Sequence, residues 1–272
     1  MRVEYGNQLG LKYYIKYHHR REIMPMNILF VGAHPDDIEN LAGGTAALYA
    51  KQGAKVFFCV ATNGNVGSAT LSKKEIAEIR HKEAKNAAAV IGAELIWLGF
   101  DDEFLIDSRE TRLKFIEAFR IARPDVVFCH WRQDYNPDHS ISGIIVDECI
   151  HMAPIPLIGT DSPPCDKIPH VYFMDTAAGV NFEPQIYVDT ANVFDTKLKM
   201  VANHESQNSW MEHMFGYGLD VFQEVPARYR GLQAGCKMAE AFRPSYRWGR
   251  TFIKHYLPQC LDINVNLHRN FK

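Results

Sequence analysis

Two short stretches of this chain concentrate the side chains that do chemistry. The first is Ala33-His34-Pro35-Asp36-Asp37-Ile38-Glu39, in which four of seven residues are ionisable or able to ligate a metal. The second runs from His130 to His139 as HWRQDYNPDH. Two imidazoles and one carboxylate around an open position suit a catalytic Zn²⁺ or a non-haem iron. Such a site polarises an acyl group and activates water. The stretches are far apart in sequence, so the fold has to bring them together.

The elements that would do so are legible. NILFVGA (27–33) and KVFFCVAT (55–62) read as buried parallel strands, rich in β-branched and aromatic residues. Between them NLAGGTAALYAKQG reads as a helix ended by Gly53, and Gly43-Gly44 allow close helix–sheet packing. Ser72 and Glu75 form a capping box that opens a helix running to about Ile91. ELIWLGF is a third strand, SRETRLKFIEAFRIAR a helix stopped by Pro124, and DVVFCHW a fourth strand. Four successive β-α units predict an α/β fold with a Rossmann-like, mostly parallel open sheet flanked by helices. In a right-handed doubly wound sheet the first and fourth strands are neighbours at the switch point, so their C-terminal loops converge there. G-x-G-x-x-G is absent, which argues against a dinucleotide site.

Beyond about residue 152 the rhythm breaks. A proline-rich loop follows, then strands at HVYFMDT and QIYVDT, a helix over 191–204, and a mixed region, 209–247, expected to cap the sheet's edge. One domain is expected over 27–257, with a tail at 258–272. Residues 1–26 read as an extension, either an arm packing on the body or on a neighbouring subunit of a homo-oligomer, or sequence upstream of a true start at Met24 or Met26.

The chain has 272 residues and a formal charge of −2, with 47% hydrophobic and 23% charged residues. That balance excludes disorder and argues against a nucleic-acid partner bound through a basic face. No apolar run reaches the ~18–20 residues of a membrane helix. Six scattered cysteines, with no C-x-x-C pair, predict neither a zinc knuckle nor a disulfide scaffold. A reduced, cytoplasmic protein is expected.

AHPDDIE after the first strand, with PDH after the fourth, resembles the LmbE-like or PIG-L family of metal-dependent N-deacetylases. TNGNVG (62–67), IRHKEAKNAAAVIG (79–92), LGFDDEFL (98–105) and HESQ (204–207) also stand in the family's order. The resemblance implies that His34, Asp37 and His139 bind Zn²⁺, with Fe²⁺ as the alternative. It implies that Asp36 is the general base, and that the reaction hydrolyses an N-acetyl group on an amino sugar, an N-acetylglucosamine derivative. Two alternatives stand beside it: an amidase acting on a larger sugar conjugate, and a metal-holding carbohydrate-binding protein with faded catalysis.

The chain departs from the family at Asn136, where many members have a histidine that stabilises the oxyanion or protonates the leaving amine. An amide can donate a hydrogen bond but cannot shuttle a proton. Either Asp36 performs both transfers, or Tyr135, His130 or His204 takes one over, or activity is reduced. Asp102 matches an aspartate that orients the family's histidine, and is expected to orient Asn136 or Tyr135 instead. Asp138 reads as a residue that orients a ligand or caps a helix, and His130 as a structural histidine ending a buried strand. His204 reads equally as a pocket residue or as packing. Asn65 and Val66 stand where relatives carry acidic or arginine residues, so a substrate contact there is not inherited. Arg228, Arg230, Arg243, Arg247 and Arg250 read either as a solvated face or as a rim for an anionic substrate group. Trp131, Trp210 and Trp248 read as core or as a stacking surface for a sugar.

Overall fold

The computed structural model describes residues 26–247 and 257–258. The expected extension therefore lies outside the described residues except for Met26, and the expected tail except for Pro258. Trp248 and Arg250 lie outside them too.

The first half alternates as the apolar runs require: β1 (Asn27–Gly32), α1 (Asp37–Lys51), β2 (Lys55–Thr62), α2 (Lys73–Ala89), β3 (Glu94–Phe100), α3 (Arg109–Ala122), β4 (Val126–Cys129) and α4 (Pro137–Cys149). Strands β5 (His170–Met174) and β6 (Ile186–Asp189), helices α5 (Phe194–Val201), α6 (Glu205–Phe215) and α7 (Leu219–Ala234), and strand β7 (Ala239–Pro244) complete it. The sheet has seven strands in the order β3-β2-β1-β4-β5-β7-β6. Strands β1 to β5 pair in parallel, and β7 runs antiparallel to both of its neighbours. The mostly parallel open sheet and the adjacency of β1 and β4 are as expected.

Both faces of the sheet are covered, which explains why the strands are apolar throughout rather than alternating. Along β1, Ile28 and Phe30 join one core with α1 and the aromatics Phe58, Phe128 and Tyr172. Leu29 and Val31 join the other with Phe115 and Phe119 of α3 and Ile145 of α4. Phe30 stacks on Phe128 across the β1–β4 pair, with ring centroids 4.6 Å apart. Among the described residues no helix is long and apolar enough to cross a membrane.

Several boundaries follow from local signals. Helix α2 opens on the expected capping box, with Ser72 Oγ accepting from Glu75 N and the Glu75 carboxylate accepting from Ser72 N. Helix α1 begins at Asp37, earlier than the apolar pattern suggested. The helix expected over 191–204 is a short 3₁₀ turn followed by α5, and it ends at Val201. Region 209–247 is not only a cap, since it also contains β7, which inserts between β5 and β6. That strand is hidden in the sequence by Glu240, a buried carboxylate neutralised by Lys197 Nζ at 2.8 Å and by Gly44 N and Thr45 N of α1. Gly44 permits this approach, because a Cβ there would lie 2.7 Å from Thr190.

The packing that matters most for function is α4 on the end of β4. A Cβ at Gly143 would sit 2.3 Å from the carbonyl oxygen of His130, so only glycine lets the helix come this close. Gly143→Ala should lift α4, which carries His139, off the strand end. A loss of about 1–3 kcal/mol is expected, together with weaker metal uptake, measured by thermal denaturation and metal titration.

Candidate active site

His34, Asp36 and Asp37 lie where β1 gives way to α1. The turn is closed by its own residues, with His34 N donating to Asp37 Oδ2 at 2.6 Å. Asp36 adopts φ 125°, ψ −22°, and its side chain makes no capping bond to α1. For a residue with a Cβ this conformation is strained, at a cost of order 1–3 kcal/mol. The strain leaves its carboxylate on the wall of a cleft rather than folded back on the helix.

His139 comes from the first turn of α4. Asn136 is the N-cap of that helix, its Oδ1 accepting from Asp138 N at 2.8 Å and His139 N at 3.3 Å, with Pro137 at the first helical position. The β1–β4 pairing then sets the two loops face to face. His34 Nδ1 lies 3.1 Å from His139 Nε2, which lies 3.3 Å from Asp37 Oδ1. Two imidazole nitrogens and one carboxylate oxygen converge there, all within 4.8 Å of one another.

Each of these three side chains is held from behind by another polar group. His34 Nε2 lies 3.0 Å from Asp102 Oδ1 and 3.4 Å from Asp138 Oδ2. His139 Nδ1 lies 3.2 Å from Asp134 Oδ1, and Asp37 Oδ2 lies 2.9 Å from His130 Nε2. Carboxylates behind imidazoles are the support that metal-binding histidines ordinarily have. Burial opposes charge on His139, but Asp37 and Asp134 overcome it and push the imidazole up to about 9. Burial likewise opposes charge on His34, and Asp102 and Asp138 carry it well above the usual range. The cluster thus attracts positive charge, and its donor set fits a divalent cation. Two further sets of donors occur among the described residues: His130, Asp134 and His139, and His34, Asp102 and Glu103. Each reuses a histidine of the first.

Asp36 is the carboxylate beside this cluster that the first set does not use. Burial raises it to about 6, against the pull of the Arg80 guanidinium 3.6 Å away. Arg80 is a functional neighbour that the sequence concealed on α2. It donates to Pro35 O at 2.8 Å and lies 3.6 Å from Asp102 Oδ2, so it ties the loop after β1 to the loop after β3. Its available signal was the glycine pair Gly64 and Gly67, since a Cβ at either would collide with it.

The cleft has a volume of about 310 Å³ and is lined by His34, Asp36, Asp37 and His139 and by the aromatic side chains Trp210, Phe215 and Phe222. Tyr135 lines it as well, largely exposed and edge-on with the His139 ring, where its phenol can donate a hydrogen bond. Asn136 lines it too, but its carbonyl serves the helix cap and its Nδ2 donates to Glu103 Oε1 at 2.9 Å.

Other expectations are corrected. Asp102 does not orient Asn136 or Tyr135; it faces His34 and Arg80, and Glu103 holds Asn136 instead. His130 is fully buried, stacked on His139 at 4.0 Å, and does not line the cleft. His204 is also fully buried, 3.3 Å from Glu39, and does not line the cleft. Asp138 accepts from Glu103 N and Leu105 N and lies 3.4 Å from His34 Nε2.

The four described arginines of that set do not line the cleft. Arg230 forks onto Asp175, Arg228 pairs with Glu224, Arg247 with Asp147, and Arg243 lies over the Trp131 ring. Trp131 packs with Phe173 and Phe182 in the core, whereas Trp210 reaches the cleft.

Residues 29–150, which span β1 to the end of α4, match the GlcNAc-PI de-N-acetylase (PIG-L) family model. The chain is 29% identical over 224 residues to diacetylchitobiose deacetylase of Thermococcus kodakarensis, covering 79% of this chain and 82% of that one. It is 29% identical to a probable N-acetyl-alpha-D-glucosaminyl L-malate deacetylase of Bacillus cereus, over 69% and 86% of the two chains. It is also 28% identical to a 4-oxalmesaconate hydratase of Pseudomonas putida, over 76% and 80%. Among solved structures, N,N'-diacetylchitobiose deacetylase from Pyrococcus horikoshii superposes with a TM-score of 0.70 at 26% identity, covering 80% of this chain and 83% of that one. By motif order, fold and these matches, the chain carries a PIG-L, or LmbE-like, family match over residues 29–150 and is similar beyond it to deacetylases of that kind.

Proposed function

We propose that this protein is a metal-dependent N-deacetylase that hydrolyses the N-acetyl group of an amino sugar, an N-acetylglucosamine derivative, to acetate and the free amine. The observation that carries this reading is the convergence of His34, Asp37 and His139 beside a strained, separate Asp36 carboxylate on one cleft. In this reading those three residues hold Zn²⁺ or Fe²⁺, and Asp102, Asp134 and Asp138 keep the imidazoles turned toward it. The ion supplies Lewis acidity, polarising the acyl oxygen and making water nucleophilic near neutral pH.

Asp36 accepts a proton as water adds to the acyl carbon. Tyr135 and the second N–H of the Asn136 amide donate to the oxygen that gains charge. The C–N bond then breaks, and the proton held by Asp36 passes to the departing nitrogen. His130 and His204 do not line the cleft, so neither substitutes for the family's histidine. The aromatic wall of Trp210 and Phe222 packs the face of the pyranose.

The test is amine release from a panel of N-acetylglucosamine derivatives, using protein of measured metal content, before and after chelation. Turnover is expected to follow bound metal and to return on adding Zn²⁺ or Fe²⁺. Bound metal without turnover on any acetylated sugar would instead support a binding protein, and water addition to an unsaturated dicarboxylate would support a hydratase.

A further inference from the structure

The cleft has a charge pattern that removal of an acetyl group does not itself require. Its acidic lining comprises Asp36, Asp37, Asp102 and Glu103. Among the described lining residues Arg80 is the one lysine or arginine, and it is buried against Asp36, Asp102 and Pro35 O. Arg80 and a single divalent cation still leave the carboxylates in excess. Arg228, Arg230, Arg243 and Arg247, the described arginines near the C-terminus, do not line the cleft and are engaged elsewhere.

Glu103 stands out within this set. Its backbone is in the left-handed region at φ 66°, which favours glycine, yet the loop presents a carboxylate there. It is anchored twice, by its own N–H donating to Asp138 Oδ2 at 2.8 Å and by Asn136 Nδ2 donating to its Oε1 at 2.9 Å. The residue is exposed and lines the cleft together with the apolar side chains Trp210, Met211 and Phe215. A carboxylate accepts well from sugar hydroxyls or an ammonium group. An anionic group there would lose water beside like charge, with no free lysine or arginine among the described lining residues to meet it.

We infer that this cleft selects uncharged or amine-bearing amino-sugar glycosides over anionic conjugates, and that Glu103 is the residue setting that preference. The inference rests on the deacetylase reading and narrows its substrate class. One like charge a few ångströms away, at the effective dielectric of a partly open site, corresponds to roughly tenfold in kcat/KM.

The experiment compares metal-loaded wild type and Glu103→Gln on methyl N-acetylglucosaminide and N,N'-diacetylchitobiose against N-acetylglucosamine 6-phosphate and an N-acetylglucosaminyl malate. In parallel, calorimetric binding of the same compounds is measured on metal-loaded Asp36→Asn. Wild type should favour the neutral pair by about tenfold or more, less at high salt, and Glu103→Gln should shrink the ratio by about tenfold. Equal wild-type kcat/KM for both classes overturns the inference, and an unchanged ratio in Glu103→Gln removes that residue from it. No turnover on any compound, with the binding preference retained, would remove the deacetylase reading and leave the charge selection standing. No turnover and no binding preference would overturn both.

Discussion

Asp36→Asn is expected to lower turnover by about 10²–10⁴ while bound metal and melting temperature stay close to wild type. The substitution preserves shape, and asparagine tolerates positive φ at least as well as aspartate, so the turn between β1 and α1 should persist. The donor atoms of His34, Asp37 and His139 are untouched. Arg80 loses charge on one partner but keeps Asp102 and the carbonyl of Pro35. What disappears is the carboxylate that accepts a proton from water, because an amide cannot take that role. Amine release, metal content by emission spectrometry and a melting curve on one preparation would decide it. Full activity in the variant would refute the role assigned to Asp36.

His139→Ala is expected to reduce metal affinity by more than about 100-fold, beyond the ~10–100-fold that removing a supporting group such as Asp102 costs. The contrast follows from the geometry. His139 brings a donor atom into the convergent set, whereas Asp102 contacts the far nitrogen of His34. The pair also separates two ways of holding an ion, since His139→Ala spares the set formed by His34, Asp102 and Glu103. Competition with a chromophoric chelator reads both affinities. If His139→Ala keeps its metal and Asp102→Asn loses it, the ion sits on the other side of His34.

Much of this was legible in the sequence because buried parallel strands must be apolar along their whole length. β1, β2 and β4 announce themselves that way, β3 is a half-buried edge strand with an apolar run, and the two loops that follow β1 and β4 had to meet once those strands paired. β7 escaped because Glu240 breaks the apolar run, and its neutralising partner Lys197 is 43 residues away in sequence. Arg80 escaped for a related reason: within a polar helix nothing local marks one arginine as turning inward. Asn136 was read for the histidine it replaces. Its place before Pro137 was the stronger signal, because asparagine before proline is a helix start. Glu103 carried no local signal, since its importance depends on a left-handed turn that only the assembled loop imposes.

The pairing of β1 with β4 has a consequence for how the protein matures. His34 and Asp37 are near neighbours in the chain, but His139 follows His34 by 105 residues. The third donor therefore arrives only after two strands and their intervening helices have closed a long loop, one of the slower steps in assembling an α/β sheet. An ion that needs all three donors cannot template the early chain. It would be captured by a protein already folded around β1 and β4, and would then stabilise that state in proportion to the logarithm of its free concentration. Metal supply would thus govern the lifetime of the native molecule as well as its activity, and molecules that miss the ion would be the first cleared by proteolysis.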